Sequence, residues 1–120
     1  MDRDRFRRLV RNAVRELPPG LSDYLDNIAI VVRREPTEAD RREAGVDGGA
    51  DLFGLYLGVP LTRRGDYHMT LPDQIVIFQG PLERHYHPHE LPREIRRTVR
   101  HEIAHHFGID DDELDRIGLG

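Results

Sequence analysis

The run from Thr98 to Asp111 constrains this chain more than any other stretch, because it places H-E-x-x-H inside a helix with one apolar face. Ile95, Val99, Ile103 and Phe107 recur every four residues, the spacing of a helix that buries one stripe. His101 and His105 then lie about 40° apart around the axis and one turn along it, so two imidazoles reach a common ion. They fall on a sector flanking the apolar stripe, together with Glu102, while Arg93, Arg96, Arg97 and Arg100 point mainly to water. A metal held there sits at the edge of a core, where a cleft can form.

Zinc suits imidazole nitrogen combined with an oxygen ligand, and a catalytic zinc keeps one of its four positions open for water. Glu102, directly after the first histidine, stands beside that water without having to be a ligand, the general-base position of the motif. Gly108 is a natural C-cap that lets the chain reverse. The reversal brings Asp111 back under the histidines as a third ligand, with Asp112 and Glu113 as local alternatives. A simpler account of Asp111 exists. Asp110 as N-cap with Glu113 three residues on forms a capping-box pattern, and acidic residues favour a helix N-terminus without any metal.

The full pattern His101-Glu102-x-x-His105-x-x-Gly108-x-x-Asp111 resembles the extended metzincin consensus, with aspartate in place of the usual third histidine. Together with Leu55-Tyr56, the run Gly58 to Thr62 and Leu71-Pro72-Asp73 before a strand, it is similar to the small bacterial zincin-like metallopeptidases. The resemblance implies zinc, a peptide or protein substrate, and a small α+β domain. No methionine follows the motif, so neither the Met-turn nor the subdomain beneath the metal in metzincins is expected. Met1 and Met69 are the only methionines.

A length of 120 residues allows one domain with one modest core. The chain has no cysteine, which excludes thiolate metal sites, disulfides and thiol nucleophiles. All 18 basic residues are arginine, so lysine-based covalent chemistry is excluded as well. No apolar run approaches the ~20 residues of a membrane span, and the polar opening of the chain leads us to expect no export signal. The expected compartment is the cytoplasm. A net charge of −4 gives no overall drive toward nucleic acid or anionic membrane.

Phe6, Leu9, Val10, Ala13, Val14 and Leu17 predict an amphipathic helix from Asp2 to Leu17, ended by Pro18-Pro19-Gly20. Its opposite face carries Arg3, Arg7, Arg11 and Arg15. The stripe could meet RNA or acidic partners, but no aromatic residues are interleaved with it, which favours a solvated face. Leu21 to Asp26 adds a helical turn with Ser22 as N-cap. Asn27 to Arg34 reads as a strand covered on both faces, Pro36 to Ala50 as a mobile loop, and Asp51 to Gly58 as a second strand in which Gly54 marks a bulge or close approach. Tyr67 to Thr70 is a short strand and Gln74 to Phe78 a firm one. His85, His87 and His89 read as polar loop residues without a ligand role. His106 reads as a packed residue beside the site, and Tyr56, Tyr67, Tyr86, His85, His87 and His89 as candidate oxyanion donors on residue type alone.

The expected architecture is an N-terminal helix and the H-E-x-x-H helix packed on a twisted mixed sheet of three or four strands, within one domain over 1–120. The expected function is zinc-dependent peptide hydrolysis, with His101, His105 and Asp111 as ligands and Glu102 as base. The alternative is a zinc-binding structural or regulatory module without turnover.

Overall fold

A computed structural model of the chain describes residues 1–46, 50–58 and 72–116. Helix α1 spans Arg3–Arg15, opened by the Asp2 carboxylate, which accepts from the Arg5 amide at 2.8 Å. Phe6, Val10 and Ala13 on its buried face pack into the core. Helix α2 is Pro19–Leu25. It starts earlier than Ser22, because Pro19 is preset for the first helical position and needs no amide partner there.

Strand β1 (Ile28–Arg33), β2 (Gly54–Leu57) and β3 (Asp73–Phe78) form one sheet in the order β1-β3-β2. β1 runs parallel to β3 with Ile30 opposite Ile75, and β2 runs antiparallel with Leu55 opposite Val76. β3 is central, and Ile75, Val76, Ile77 and Phe78 are all fully buried. The expectation that β1 is covered on both faces is corrected: only Val32 is buried, because β1 is an edge strand among the described residues. β2 is shorter than Asp51 to Gly58, and the expected strand Tyr67 to Thr70 lies outside the described residues.

The expected mobile loop from Pro36 to Ala50 holds helix α3, Glu38–Ala44. Thr37 and Asp40 cap it reciprocally, and Gly45 ends it at φ 71 in the left-handed region. Asp40 is buried and also meets Arg33 at 3.3 Å, tying the helix to the end of β1. The segment after β3, expected as polar loop, holds helix α4, Gln79–His85, followed by a 3₁₀ turn at Pro88–Glu90.

Helix α5, Leu91–Phe107, crosses the sheet and packs on α1, β2 and β3. Leu91, Ile95, Val99 and Ile103 have at most 1% of their surface exposed. Burying side chains of this size contributes about 1.5–3 kcal/mol each, so α5 is a core element as much as a site. Arg96 joins it to Glu16 just past α1 at 2.7 Å. Phe107, expected on the same face, is the last residue of the helix and is 44% exposed, with its ring 5.0 Å from that of Tyr24. Gly108 (φ 66) then stops α5, and α6 follows at Asp111–Arg116. Asp110 caps α6 as expected, accepting from the Glu113 amide at 2.8 Å. The result is an α+β domain in which two long helices lie against a small mixed sheet.

Candidate metal centre and cleft

β2 comes unusually close to α5. A Cβ built on Gly54 would stand 2.6 Å from the Thr98 Cγ2 and 3.6 Å from the Glu102 Cγ. The glycine therefore marks a close approach, and what it brings together is the strand and the middle of the H-E-x-x-H segment. Two strand positions on, the Tyr56 amide donates to the Glu102 Oε2 at 3.2 Å.

The space in front of this contact is a cleft of about 690 Å³ whose wall includes Gly54, Thr98, His101, Glu102 and His105. His101 and His105 are exposed, while Glu102 is half-buried. Burial pushes the Glu102 carboxyl above the ordinary glutamate range; His101, the Tyr56 amide and His105 pull in the opposite direction, and burial prevails. A carboxylate with a raised pKa is a better proton acceptor than an exposed one, which is what a general base requires.

The pair of histidines meets the requirement for two imidazole ligands on one wall of an open cleft. Among the described residues, no three His, Asp or Glu side chains form a metal-holding group. The Asp111 side chain lies outside the described residues, although its backbone opens α6 just after the Gly108 reversal. The donor chemistry present among the described residues fits two imidazole ligands of a zinc ion.

His106 does not fill the core. It is exposed and stacks on Tyr56 with ring centroids 3.6 Å apart and planes 11° from parallel. The Tyr56 hydroxyl donates to Asp73 at 2.8 Å, so this ring is braced on both sides beside Glu102. Sequence reasoning offered Tyr56 as an oxyanion donor, and its hydroxyl is engaged instead with the first residue of β3. Tyr67 lies outside the described residues. Tyr86 lines the cleft, and its ring lies 5.6 Å from that of Phe53.

The second histidine cluster is divided among other tasks. His85 Nε2 and Asp51 Oδ2 are 2.7 Å apart, and Arg84 clamps Glu35 and Asp51 together at 2.8 to 2.9 Å. Arg84, and after it His85, hold the Asp51 carboxyl below the usual range. His87 and His89 stack on each other across the 3₁₀ turn, with centroids 5.7 Å apart. The sequence reading missed Asp51, which lines the cleft, and Arg84, which holds it. The two are 33 residues apart, and no local pattern connects them.

A metal-motif helix laid along a small mixed sheet, with its glutamate against the neighbouring strand, is the arrangement of a zincin-like domain. The sequence matches the zincin-like metallopeptidase family over residues 25–120, and the chain belongs to that family. α1 lies wholly before the matched region. No curated protein matches the chain. Among solved structures, a conserved hypothetical protein from Thermo thermophilus is similar, with a TM-score of 0.60 and 20% identity. The likeness covers 89% of this chain and 94% of that one, and it is a likeness of fold. Among the described residues no helix is long and apolar enough to cross a membrane.

Proposed function

We propose that this protein is a zinc-dependent metallopeptidase in which His101, His105 and Asp111 hold the metal and Glu102 is the general base. The observation that carries the reading is the desolvated Glu102 carboxylate on the same cleft wall as both histidines. Zinc bound there would polarise the scissile carbonyl and acidify its water toward neutrality. Glu102 takes the proton of the attacking water and returns it to the leaving amine. Gly54 leaves the cleft floor without a side chain, and β2, an edge strand among the described residues, offers an extended substrate peptide a strand to lie along.

One observation favours the second reading, a zinc-binding module without turnover. The Tyr56 amide, which faces out from β2, is already bonded to Glu102, so base and strand edge restrain each other. Incubation of the zinc-loaded protein with a peptide library separates the two. New termini that disappear on chelation support the peptidase. An intact library with stoichiometric zinc still bound supports the passive module.

A further inference from the structure

A second groove lies on the far side of the sheet from the cleft strand, between α1 and β1. It has a volume of about 690 Å³ and is walled by Arg3, Arg7, Arg11 and Arg15 with Val10 and Val14 from the helix, and by Ile30 to Arg33 from the strand. Its strand wall is an edge among the described residues, half-buried at Ile30 and Val31 and buried at Val32, and its polarity follows from the register. The Phe78 amide donates to the Phe53 carbonyl, so the even positions of β3 turn their backbone groups toward β2 and the odd ones toward β1. With Ile30 opposite Ile75 and Val31 opposite Val76, Val31 and its odd neighbours bond to β3. Ile28, Ile30 and Val32 therefore turn their N–H and C=O outward.

The Val32 carbonyl bears this out, since it accepts from the Arg3 Nη2 at 3.4 Å, across the groove. Among the described residues, the outward groups of Ile30 and the Val32 amide meet no partner. An edge of unpaired backbone groups is a template for an added strand. Arg11 and Arg15 likewise make no ion pair among the described residues, and Arg7 meets only Asp4, at 3.9 Å and in the open.

The two walls share a period. Arginines four apart on a helix repeat every ~6 Å, and side chains on one face of an extended chain repeat every ~6.6–6.8 Å. A strand added to β1 turns alternate side chains to the sheet face on which α1 lies, so carboxylates at every second position come into step with the arginines. We propose that this groove binds an acidic peptide in extended form, added to the edge of β1, with alternating carboxylates paired to Arg7, Arg11 and Arg15. A peptide suits the groove better than a nucleic acid because the free groups are those of a strand edge. No aromatic side chain lines the groove for base stacking. The site shares no residue with the cleft and does not depend on metal or turnover.

The test uses a fluorescent peptide of about eight residues alternating Glu and Val, titrated with the full-length protein by anisotropy. Two controls accompany it: the same composition with its glutamates in one block, and the alternating peptide N-methylated on the amides that would face β1. The alternating peptide should bind, and both controls should weaken binding by about tenfold or more. Arg7→Gln/Arg11→Gln/Arg15→Gln, all on the exposed face of α1, should do the same. In amide exchange the peptide should protect Ile30. Absence of binding, or equal binding by the N-methylated peptide, would overturn the proposal. So would displacement of the peptide by single-stranded RNA at lower concentration than by unlabelled peptide, which would mark the groove as a nucleic-acid surface.

Discussion

Gly54→Ala probes the contact that builds the cleft. The new methyl would lie 2.6 Å from the Thr98 Cγ2 and 3.2 Å from the Val76 carbonyl oxygen, where carbon atoms settle at about 3.5–4.0 Å. Something must retreat by roughly 1 Å. Thr98 cannot simply rotate away, because its hydroxyl donates to the Glu94 carbonyl at 2.8 Å, and Val76 belongs to the central strand. Overpacking of this kind costs about 1–3 kcal/mol, while replacing glycine with alanine gains about 0.4–1 kcal/mol through the unfolded chain. The net expectation is a loss of about 1–2 kcal/mol, a drop in Tm of roughly 3–8 °C for a domain of this size. Thr98→Ser deletes the offending methyl and keeps the hydroxyl, so the double variant should recover at least half of the loss in urea melts read by circular dichroism. A Gly54→Ala protein as stable as wild type, or a double variant with no recovery, would refute the claim that β2 is pressed against α5 at this point.

Other expectations follow from the same geometry. His101→Ala should abolish stoichiometric zinc measured by elemental analysis of untagged protein, and full occupancy in that variant would remove the site. Chelation should lower Tm without erasing helical circular dichroism, because the core of α1, α5 and β3 forms without metal; complete unfolding would make the metal structural. Burial raises the Glu102 pKa in the folded state, so the folded protein binds its proton more tightly. That contribution is fully present below the unfolded pKa of about 4.3 and is lost as pH rises through the folded value. Metal-free Glu102→Gln should therefore be more stable than wild type at pH 7, with the advantage vanishing near pH 4 in parallel urea melts. An advantage that persists unchanged at low pH would contradict the assignment to desolvation.

The parts of this structure legible in the sequence are those set by neighbours along the chain. α1 and α5 follow from apolar residues at helical spacing, β3 from an unbroken apolar run, and the ends of α5 and α6 from Gly108 and Asp110. α3 is equally local, since Thr37 and Asp40 are spaced as a capping pair, but its seven residues carry too short an apolar pattern to stand out from a polar loop. What escaped is set across the sheet. That β1 is an edge among the described residues depends on β3 being inserted between it and β2. The bond from Tyr56 to Glu102 spans 46 residues, and the hydrogen bond from His85 to Asp51 spans 34. His101, Glu102 and His105 could be read because one helix carries them, whereas the placement of β2 against that helix could be found only in the folded chain.

The proposed role of Glu102, a base beside a metal held by its neighbours, is tested most directly by Glu102→Gln. The substitution keeps the shape of the side chain and an oxygen to accept from the Tyr56 amide, while removing the basic carboxylate. Zinc per chain and hydrolysis of a peptide cleaved by wild type should be measured on the two proteins side by side. The expected result is unchanged zinc and a rate lower by about two or more orders of magnitude, the contribution of a positioned general base. Equal cleavage by the Gln variant at equal zinc content would contradict that role.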